Sequence, residues 1–497
     1  MKIEIKGLLR FSGELQPAAG DVEELIAQSR GLLLKGLPKG AAGARVKGWR
    51  IRGKEIKIEI ESGRHVRAHD ALLRIAKLMG EELGKRRRIG LRGLEIEEGR
   101  IVIPGTLGQE DISRLSEPPF HIRSIHEGTE ITFREMEESD VRGRVIDRMI
   151  SSVMDALSRG EPKKEEPRVV RRGRELSHPF REDPFQACAR LGWIVEFPGR
   201  GQWIYAEPYT ALIRAIEDLI VENVAVPLGF REVMLPKLIP LEVMRRMPGY
   251  LDSVPEGMYY VCPPPRNPEA FKRFKARLRL SGRVPSAELR KVLKDPSYVL
   301  APAQCEPFYQ AFSGKSLRLE DLPIKQYDRS GWTYRWEGGG VEGLIRTQEF
   351  RRIEFVFMGS PEDTVSIRDG VVERAIGILD ELEIEWRLLV ATPFYLREGE
   401  TGGAGGSAVA TYDLETLLPY SGEWLEVGSY NVHRNRFAKS FKIKEVKNRE
   451  IWTGCCGFGT GRWAVAFLAQ HGLDEEKWPP ALRRKIGRLP SQFKPVG

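Results

Sequence analysis

Apolar and polar residues alternate with period two over Lys2–Leu9, Ala44–Ile51, Glu55–Glu61, Glu95–Ile103 and Glu130–Arg134. That is the pattern of strands with one face buried and one face wet. Between them, Val22–Lys35, Val66–Lys85 and Val141–Ser158 place apolar residues at helical spacing. Strands interleaved with a few helices predict an α+β module over residues 1–159 with an antiparallel sheet. Residues 160–175 then break the pattern: GEPKKEEPRVVRRGR is charged, Pro-punctuated and free of aromatics, and reads as a linker. From Leu176 the texture changes again. Nine of the ten Trp, most Phe and all five Cys lie beyond it, which supplies a large second core over residues 176–497. Within it Pro268–Ser297 reads as helix, Gly-containing turn and helix, with Pro285-Ser286-Ala287-Glu288 as the N-cap and acidic first turn of the second helix. A surface insertion in an enzyme explains this unit better than a DNA-reading helix-turn-helix, because it stands alone inside a larger domain.

A chain of 497 residues exceeds one ordinary core, so two or three domains are expected. The composition, 41% hydrophobic and 30% charged, fits a globular protein. No run approaches the about 18–20 apolar residues that span a bilayer, and Met1–Lys6 alternates like a strand instead of forming a signal-peptide apolar stretch. An odd set of five cysteines, two of them adjacent, argues against a disulfide framework and for a reducing compartment. A cytoplasmic protein without membrane contact is expected. The formal charge of +9 favours a polyanionic partner.

The candidate chemistry is concentrated in arginine-bearing blocks. Tyr334-Arg335-Trp336-Glu337 is followed by Arg346-Thr347-Gln348-Glu349-Phe350-Arg351-Arg352-Ile353-Glu354, and Gly457-Phe458-Gly459-Thr460-Gly461-Arg462 forms a Gly-rich turn opening a helix. Guanidinium groups are permanently charged and forked, which suits phosphate oxygens. Together the blocks read as an ATP site unlike a P-loop. Gly399–Ser407 lacks the Lys-Ser/Thr of a P-loop and reads as a mobile loop at the site mouth. Gly338-Gly339-Gly340 reads as a turn between strands.

Pro227-Leu228-Gly229-Phe230-Arg231-Glu232-Val233-Met234-Leu235-Pro236, the Arg335–Glu354 block and Gly457–Arg462 resemble, in order, the three motifs of class II aminoacyl-tRNA synthetases. Gly343-Leu344-Ile345-Arg346 and Thr411-Tyr412-Asp413-Leu414-Glu415, followed by Glu426-Val427-Gly428-Ser429, resemble the seryl version. Two departures matter: no heptad arm precedes the catalytic half, and Pro302-Ala303-Gln304-Cys305-Glu306-Pro307 replaces a Thr-Xaa-Glu serine loop. Both match the zinc-dependent seryl-tRNA synthetases of methanogenic archaea, which also carry a helix-turn-helix insertion between the first two motifs. The resemblance covers the whole chain.

The resemblance implies an antiparallel-sheet catalytic domain that activates L-serine with ATP and passes it to the 3′-terminal ribose of tRNA(Ser), with tRNA(Sec) left open. Arg335 would hold the α-phosphate and bridge to the serine carboxylate, and Arg462 would clamp the γ-phosphate. Glu337 would read adenine, Phe350 would cover the ring and Arg346 would add a phosphate contact. Glu426 and Ser429 would hold Mg²⁺ through hard oxygens. Cys305, Glu354 and Cys455 or Cys456 would hold catalytic Zn²⁺, with a fourth position open for the serine amino group. Cys305, Arg335, Glu354 and Asn431 are placed at the serine pocket. For the adjacent pair, the Gly-Cys-Xaa-Gly-Xaa-Gly spacing and strand alternation favour Cys455. Cys188 and Cys262 read as small hydrophobes. His433 reads equally as a substrate contact or as a core or surface residue. The basic face of Arg74, Lys77, Arg87 and Arg92 would meet tRNA phosphates, and a homodimer is implied because one subunit's N-terminal module serves tRNA bound to the other. The alternative is a related ligase charging another small amino acid or a carrier protein, against which the basic N-terminal half argues. A DNA-binding regulator on this fold would require broken ATP residues.

Overall fold

The computed structural model describes residues 1–34, 37, 43–158, 168–338, 340–391, 410–487 and 489. Gly399–Ser407, Gly339 and the first part of the expected linker lie outside the described residues. The chain divides into two compact units, 1–164 and 165–497. No helix among the described residues is long and apolar enough to cross a membrane.

The N-terminal unit is a six-stranded antiparallel sheet. Its strands are β1 (Lys2–Phe11), β2 (Arg45–Arg52), β3 (Glu55–Ser62), β4 (Leu91–Ile103), β5 (Phe120–Ile125) and β6 (Gly128–Glu137), in the order β2-β3-β1-β4-β6-β5. Helices α1 (Ala19–Leu34), α2 (Ala68–Arg87) and α3 (Val145–Ser158) pack their apolar residues into the same core as Ile3, Ile5, Ile58 and Ile101. The opposite face carries opposite-charge pairs, such as Lys6–Glu98 at 2.8 Å and Arg10–Glu95 at 2.6 Å. This alternation is what lets an antiparallel sheet keep one face in water. Strand β5 escaped the sequence pattern because it is a short edge strand whose alternation breaks at Arg123-Ser124. The single helix expected over Val141–Ser158 is broken: Glu138–Arg142 is a separate turn of helix, and Arg144 at φ 62° redirects the chain.

The C-terminal unit is built on an eight-stranded sheet. Its strands are β7 (Arg168–Arg172), β8 (Arg231–Glu232), β9 (Ile324–Asp328), β12 (Ile353–Gly359), β13 (Trp386–Ala391), β14 (Thr411–Leu418), β15 (Glu423–Arg434) and β16 (Trp452–Phe458). The order is β8-β9-β12-β16-β15-β14-β13-β7, antiparallel except for the β8–β9 pair. Strands β10 (Trp332–Tyr334) and β11 (Glu349–Arg351) form a separate antiparallel hairpin. Strand β7 corrects the linker expectation: the Val-Val core of an otherwise charged segment adds an edge strand to β13.

Helices α4 (Tyr209–Ile220), α8 (Pro361–Glu381) and α9 (Thr460–His471) share one core with Phe355, Phe357, Cys456 and Phe458. A capping box starts α8: Ser360 Oγ accepts from the Asp363 N–H at 3.0 Å, with Pro361 in the first turn. The other sheet face packs Val356, Met358 and Cys455 against α7 (Glu306–Ala311), Phe437 and Phe441.

The insertion exists as expected, with α5 (Lys272–Ser281) closed by Gly282 at φ 62° and α6 (Ser286–Val292) following. Paired residues Tyr260↔Val299 and Val261↔Tyr298 close its base. Its capping differs from expectation: Pro285 occupies the N-cap and Ser286 is already helical, so no side chain caps α6.

Candidate active site and metal centre

Strand β12 reads Ile-Glu-Phe-Val-Phe-Met-Gly and every residue is buried. A strand covered on both faces is expected to be apolar throughout, so Glu354, with no exposure at all, needs a chemical reason. The sheet register supplies its neighbours. One cross-strand row runs Asp328, Glu354, Gly457, Ser429, Asp413, and the next runs Gln326, Val356, Cys455, Asn431, Thr411. Period-two alternation turns both rows to one face and sends Phe355, Cys456 and Tyr430 into the helix-covered core.

Cys305 stands at the start of α7 and meets this face. The ligand atoms of Cys305, Glu354 and Cys455 lie within 4.8 Å of one another, all buried. Cys456 belongs to the opposite core, as the spacing argument expects. Cys188 is a buried core residue and Cys262 is half-buried.

The three groups crowd one another in a buried setting, and each shifts the others. Its hydrogen bond to Cys455 and its burial push the Cys305 thiol well up. For Cys455 the bond with Cys305 pulls the thiol down, but burial and the neighbouring Glu354 charge outweigh it. Burial raises Glu354 even though the half-buried Arg352 guanidinium opposes the shift by donating to Oε2. Glu354 Oε1 is buried with no hydrogen-bond partner. An orphaned carboxylate oxygen beside two thiols matches the Cys/Glu donor set of a three-ligand zinc site. Arg352 reaches Glu354 across Gly457, where a Cβ would lie 2.0 Å from its Nη2.

The ATP candidates converge on the same place. A cavity of about 440 Å³ is lined by Arg335, Glu337, Arg346, Phe350, Glu426, Ser429, Asn431 and Arg462 together with the three ligand candidates. Phe350 lies opposite Thr333 in the β10–β11 hairpin. Arg335 directly follows β10, in the connection to β11, and is exposed, its N–H bonded to the Gln348 carbonyl at 3.0 Å. Glu337 is held by the Gln348 side chain at 3.1 Å. Arg462, in the first turn of α9, donates to the carbonyls of Ile345 and Glu426, both at 2.9 Å. Burial lowers its pKa; Glu426 opposes this shift, and the like charges of Arg335 and Arg346 add to it. Three guanidinium groups facing one cavity repel one another until a polyanion enters.

Sequence reasoning missed Asp413. Burial and the charge of Glu426 raise its carboxyl to about 7, and its Oδ1 has no partner. The signal was an acid at an alternating position of β14 pointing with Thr411 to the site face. Arg352 and Glu306 were missed as well. Glu306 is fully buried and accepts from the Ala303 N–H at 3.0 Å through Oε1.

His433 is a buried residue of the site wall, so the surface reading is corrected. Its exposure is 1%, and burial drives its pKa down to about 3.

In the N-terminal unit the four basic candidates divide. Arg74 is half-buried and donates to the Leu32 carbonyl at 2.7 Å, while Arg87 pairs with Asp21 at 2.7 Å. Both tie α2 to α1. Lys77 is exposed with Glu81 at 4.0 Å, and Arg92 is exposed on β4. Arg74 and Lys77 therefore differ in exposure: three positions is short of a full turn, and the helix has rolled Arg74 toward α1.

Residues 1–155 match a tRNA-binding domain family, and residues 291–471 match the tRNA synthetase class II core domain (G, H, P, S and T). The chain is 42% identical to the type-2 serine–tRNA ligase of Methanothermobacter thermautotrophicus, over 98% of this chain and 97% of that one. It belongs to the type-2 serine–tRNA ligase family. The enzyme of the same name from Methanocaldococcus jannaschii is 40% identical, over 99% of this chain and 97% of that one. In solved structures, the M. kandleri SerRS crystallised with A. aeolicus tRNASec superposes with a TM-score of 0.84 at 39% identity, covering 100% of this chain and 99% of that one. A cytoplasmic serine–tRNA ligase of Naegleria fowleri in complex with AMP shares the fold alone, with a TM-score of 0.53 at 15% identity over 70% of this chain and 71% of that one. The type-2 family thus spans the full chain, whereas the more distant relative leaves part of it unmatched.

Proposed function

We propose that this chain is a serine–tRNA ligase: it condenses L-serine with ATP to seryl-adenylate and pyrophosphate, then transfers the seryl group to the 3′-terminal ribose of tRNA(Ser). The observation that carries this reading is the single cavity joining the arginine cluster to the Cys305/Glu354/Cys455 face. In the first step the serine carboxylate attacks the α-phosphorus and pyrophosphate leaves. Positioning and charge neutralisation dominate such a step. Arg335 holds the α-phosphate and the incoming carboxylate, Arg462 and Arg346 take the outer phosphates, Glu337 reads the adenine edge and Phe350 covers the ring. Glu426, Ser429 and Asp413 offer hard oxygens suited to Mg²⁺ accompanying ATP.

Cys305, Glu354 and Cys455 would hold zinc, which when bound supplies a Lewis-acidic position for the amino group of serine. Asn431 stands beside Cys455, its Nδ2 at 3.9 Å from Sγ and at 3.3 Å from Ser429 Oγ, and lines the pocket that receives the small side chain. The domains follow a similar division: a tRNA-binding unit through residue 159 and a catalytic unit that takes in the edge strand β7 at Arg168–Arg172 and carries the helix-turn-helix insertion. Lys77 and Arg92 are the candidates free to meet tRNA phosphates. Exposed Val226, just before the first motif, and Met234, within it, are 67% and 81% exposed and suit burial against a second copy. The N-terminal unit's match to a tRNA-binding family speaks against a carrier-protein substrate.

Amino-acid-dependent ATP–pyrophosphate exchange across the twenty amino acids, with metal-stripped and zinc-restored protein, tests the proposal. Exchange with serine alone, lost on stripping and regained with zinc, is expected. Exchange driven by glycine or alanine instead would move the assignment to the carrier-protein class, and absence of exchange would remove the enzymatic reading.

A further inference from the structure

His433 is packed where no substrate contact is needed to explain it. Its Nε2 lies 3.5 Å from Cys455 Sγ. On the other side of the ring, Nδ1 is 3.3 Å from Tyr309 Oη and 3.2 Å from Thr453 Oγ1. The ring is clasped by Phe437, with centroids 4.3 Å apart. A neutral imidazole carries one N–H and one acceptor nitrogen. A metal-bound thiolate can only accept, so an imidazole facing it carries its proton on Nε2, and Nδ1 then accepts from a hydroxyl, Tyr309 and Thr453 both being within reach. The backbone is shaped for this. The β15–β16 register shifts between Val432 and Arg434, placing His433 in a bulge, and Arg434 adopts φ 54°. A bulge beside a site re-aims a side chain, and a non-Gly residue in the left-handed region is held there by its surroundings.

We propose that His433 is a positioning residue for the metal-ligating thiol of Cys455, donating its Nε2–H to Sγ and thereby fixing the direction of the sulfur and withdrawing charge from its thiolate. This rests on the reading of Cys305, Glu354 and Cys455 as metal ligands. Outer hydrogen bonds of this kind orient a ligand and tune its donor strength, and their loss weakens metal affinity about 10–100-fold. Tyr309 then acts one step further out, setting the tautomer through its hydroxyl.

Cobalt(II) is the probe, because a cobalt-bound thiolate gives a near-ultraviolet charge-transfer band whose energy reports the sulfur's charge. In the full-length chain, His433→Phe should move that band to longer wavelength and release the metal to a chelator about 10–100-fold more readily. His433→Gln, which keeps an N–H near the Nε2 position, should restore both toward wild type. Tyr309→Phe should shift the band in the same direction by less, and it serves if His433→Phe does not fold. Nitrogen-15 spectra of the histidine-labelled wild type should place the proton on Nε2. A proton on Nδ1, or a band and metal retention unchanged in both His433→Phe and Tyr309→Phe, overturns the proposal. If wild type binds cobalt without a thiolate band, or the double variant Cys305→Ala/Cys455→Ala keeps the band, the metal reading itself fails and takes the proposal with it.

Discussion

Gly457 is where the packing of the site can be tested most sharply. A methyl group there would meet Arg352 Nη2 at 2.0 Å, its Cζ at 2.8 Å and Glu354 Oε2 at 3.0 Å. Real Cβ atoms do not approach so closely, so Gly457→Ala must displace the guanidinium. On an exposed arginine that displacement is cheap, since the group swings into water. Here the Arg352 side chain is only 15% exposed and its partner Glu354 has no exposure, so moving one charge leaves the carboxylate unpaired inside the sheet. Breaking a buried ion pair by displacing one partner costs about 3–5 kcal/mol, whereas overpacking alone costs about 1–3 kcal/mol. The first figure is therefore expected. Nine of the ten Trp lie in the C-terminal unit, so intrinsic fluorescence during urea titration follows that unit. Gly377→Ala is the control: it sits exposed within α8 with nothing within 4 Å of a new Cβ. It should gain about 0.5–1 kcal/mol from the helix preference for alanine. Gly457→Ala should also lose zinc to a chelator faster, because Glu354 is no longer held. A variant within about 0.5 kcal/mol of wild type that keeps its metal would refute the claim that Arg352 orders this carboxylate.

Cys455→Ala should abolish zinc binding and serine-dependent exchange, while Cys456→Ala should keep the metal and lose about 1–2 kcal/mol of stability as a small core cavity; metal analysis of the purified variants separates them. Arg462→Lys should lower kcat/KM for ATP about 10–100-fold in pyrophosphate exchange, since a point charge cannot span the geometry of a fork, with serine KM little changed. Lys77→Ala and Arg92→Ala should each weaken tRNA binding and reduce the salt dependence of log K by about 0.7–0.9, whereas Arg74→Ala should act through stability; titrations at several salt concentrations distinguish these. Burial lowers the pKa of His69, which is 1% exposed, despite the neighbouring Asp147 charge. The unfolded chain takes up this proton first, so the contribution of neutral His69 is present above about pH 6.5 and is lost at up to about 1.4 kcal/mol per pH unit below it. Amide hydrogen exchange in α2 and α3 should therefore lose more protection between pH 7.5 and 5.5 in wild type than in His69→Gln.

Much of this was legible in the chain. The alternating segments of the N-terminal half became β1, β2, β3, β4 and β6 with shifts of a few residues, because each has one wet face and one dry face. The losses were local. Strand β5 is a short edge whose exposed residues, His121, Arg123 and Ser124, are polar, and β7 carries only Val169 and Val170 among arginines, so composition read it as linker. In both cases pairing to a neighbouring strand decides the outcome, and that neighbour is distant in sequence. The arginines of the site could be named because guanidinium beside Gly-rich turns has a recognisable chemistry. Asp413, Arg352 and Glu306 could not, since a lone acid or base within a strand or turn is ordinary until the register places it.

That register explains why the metal candidates come from such separated segments. Glu354 and Cys455 sit on adjacent strands in neighbouring rows, and Asn431 lies directly across from Cys455. A shift of one residue in β16 would exchange Cys455 for Cys456 and bury the wrong thiol among Phe355 and Tyr430. What fixes the register is therefore part of the chemistry. Large aromatic side chains on the helix-covered face, Phe355 against Phe458 at 5.3 Å and Tyr430 against Phe458 at 5.5 Å, can interlock in one phase only. The apolar core on one face thus selects which thiol, carboxylate and amide the opposite face presents to a small amino acid.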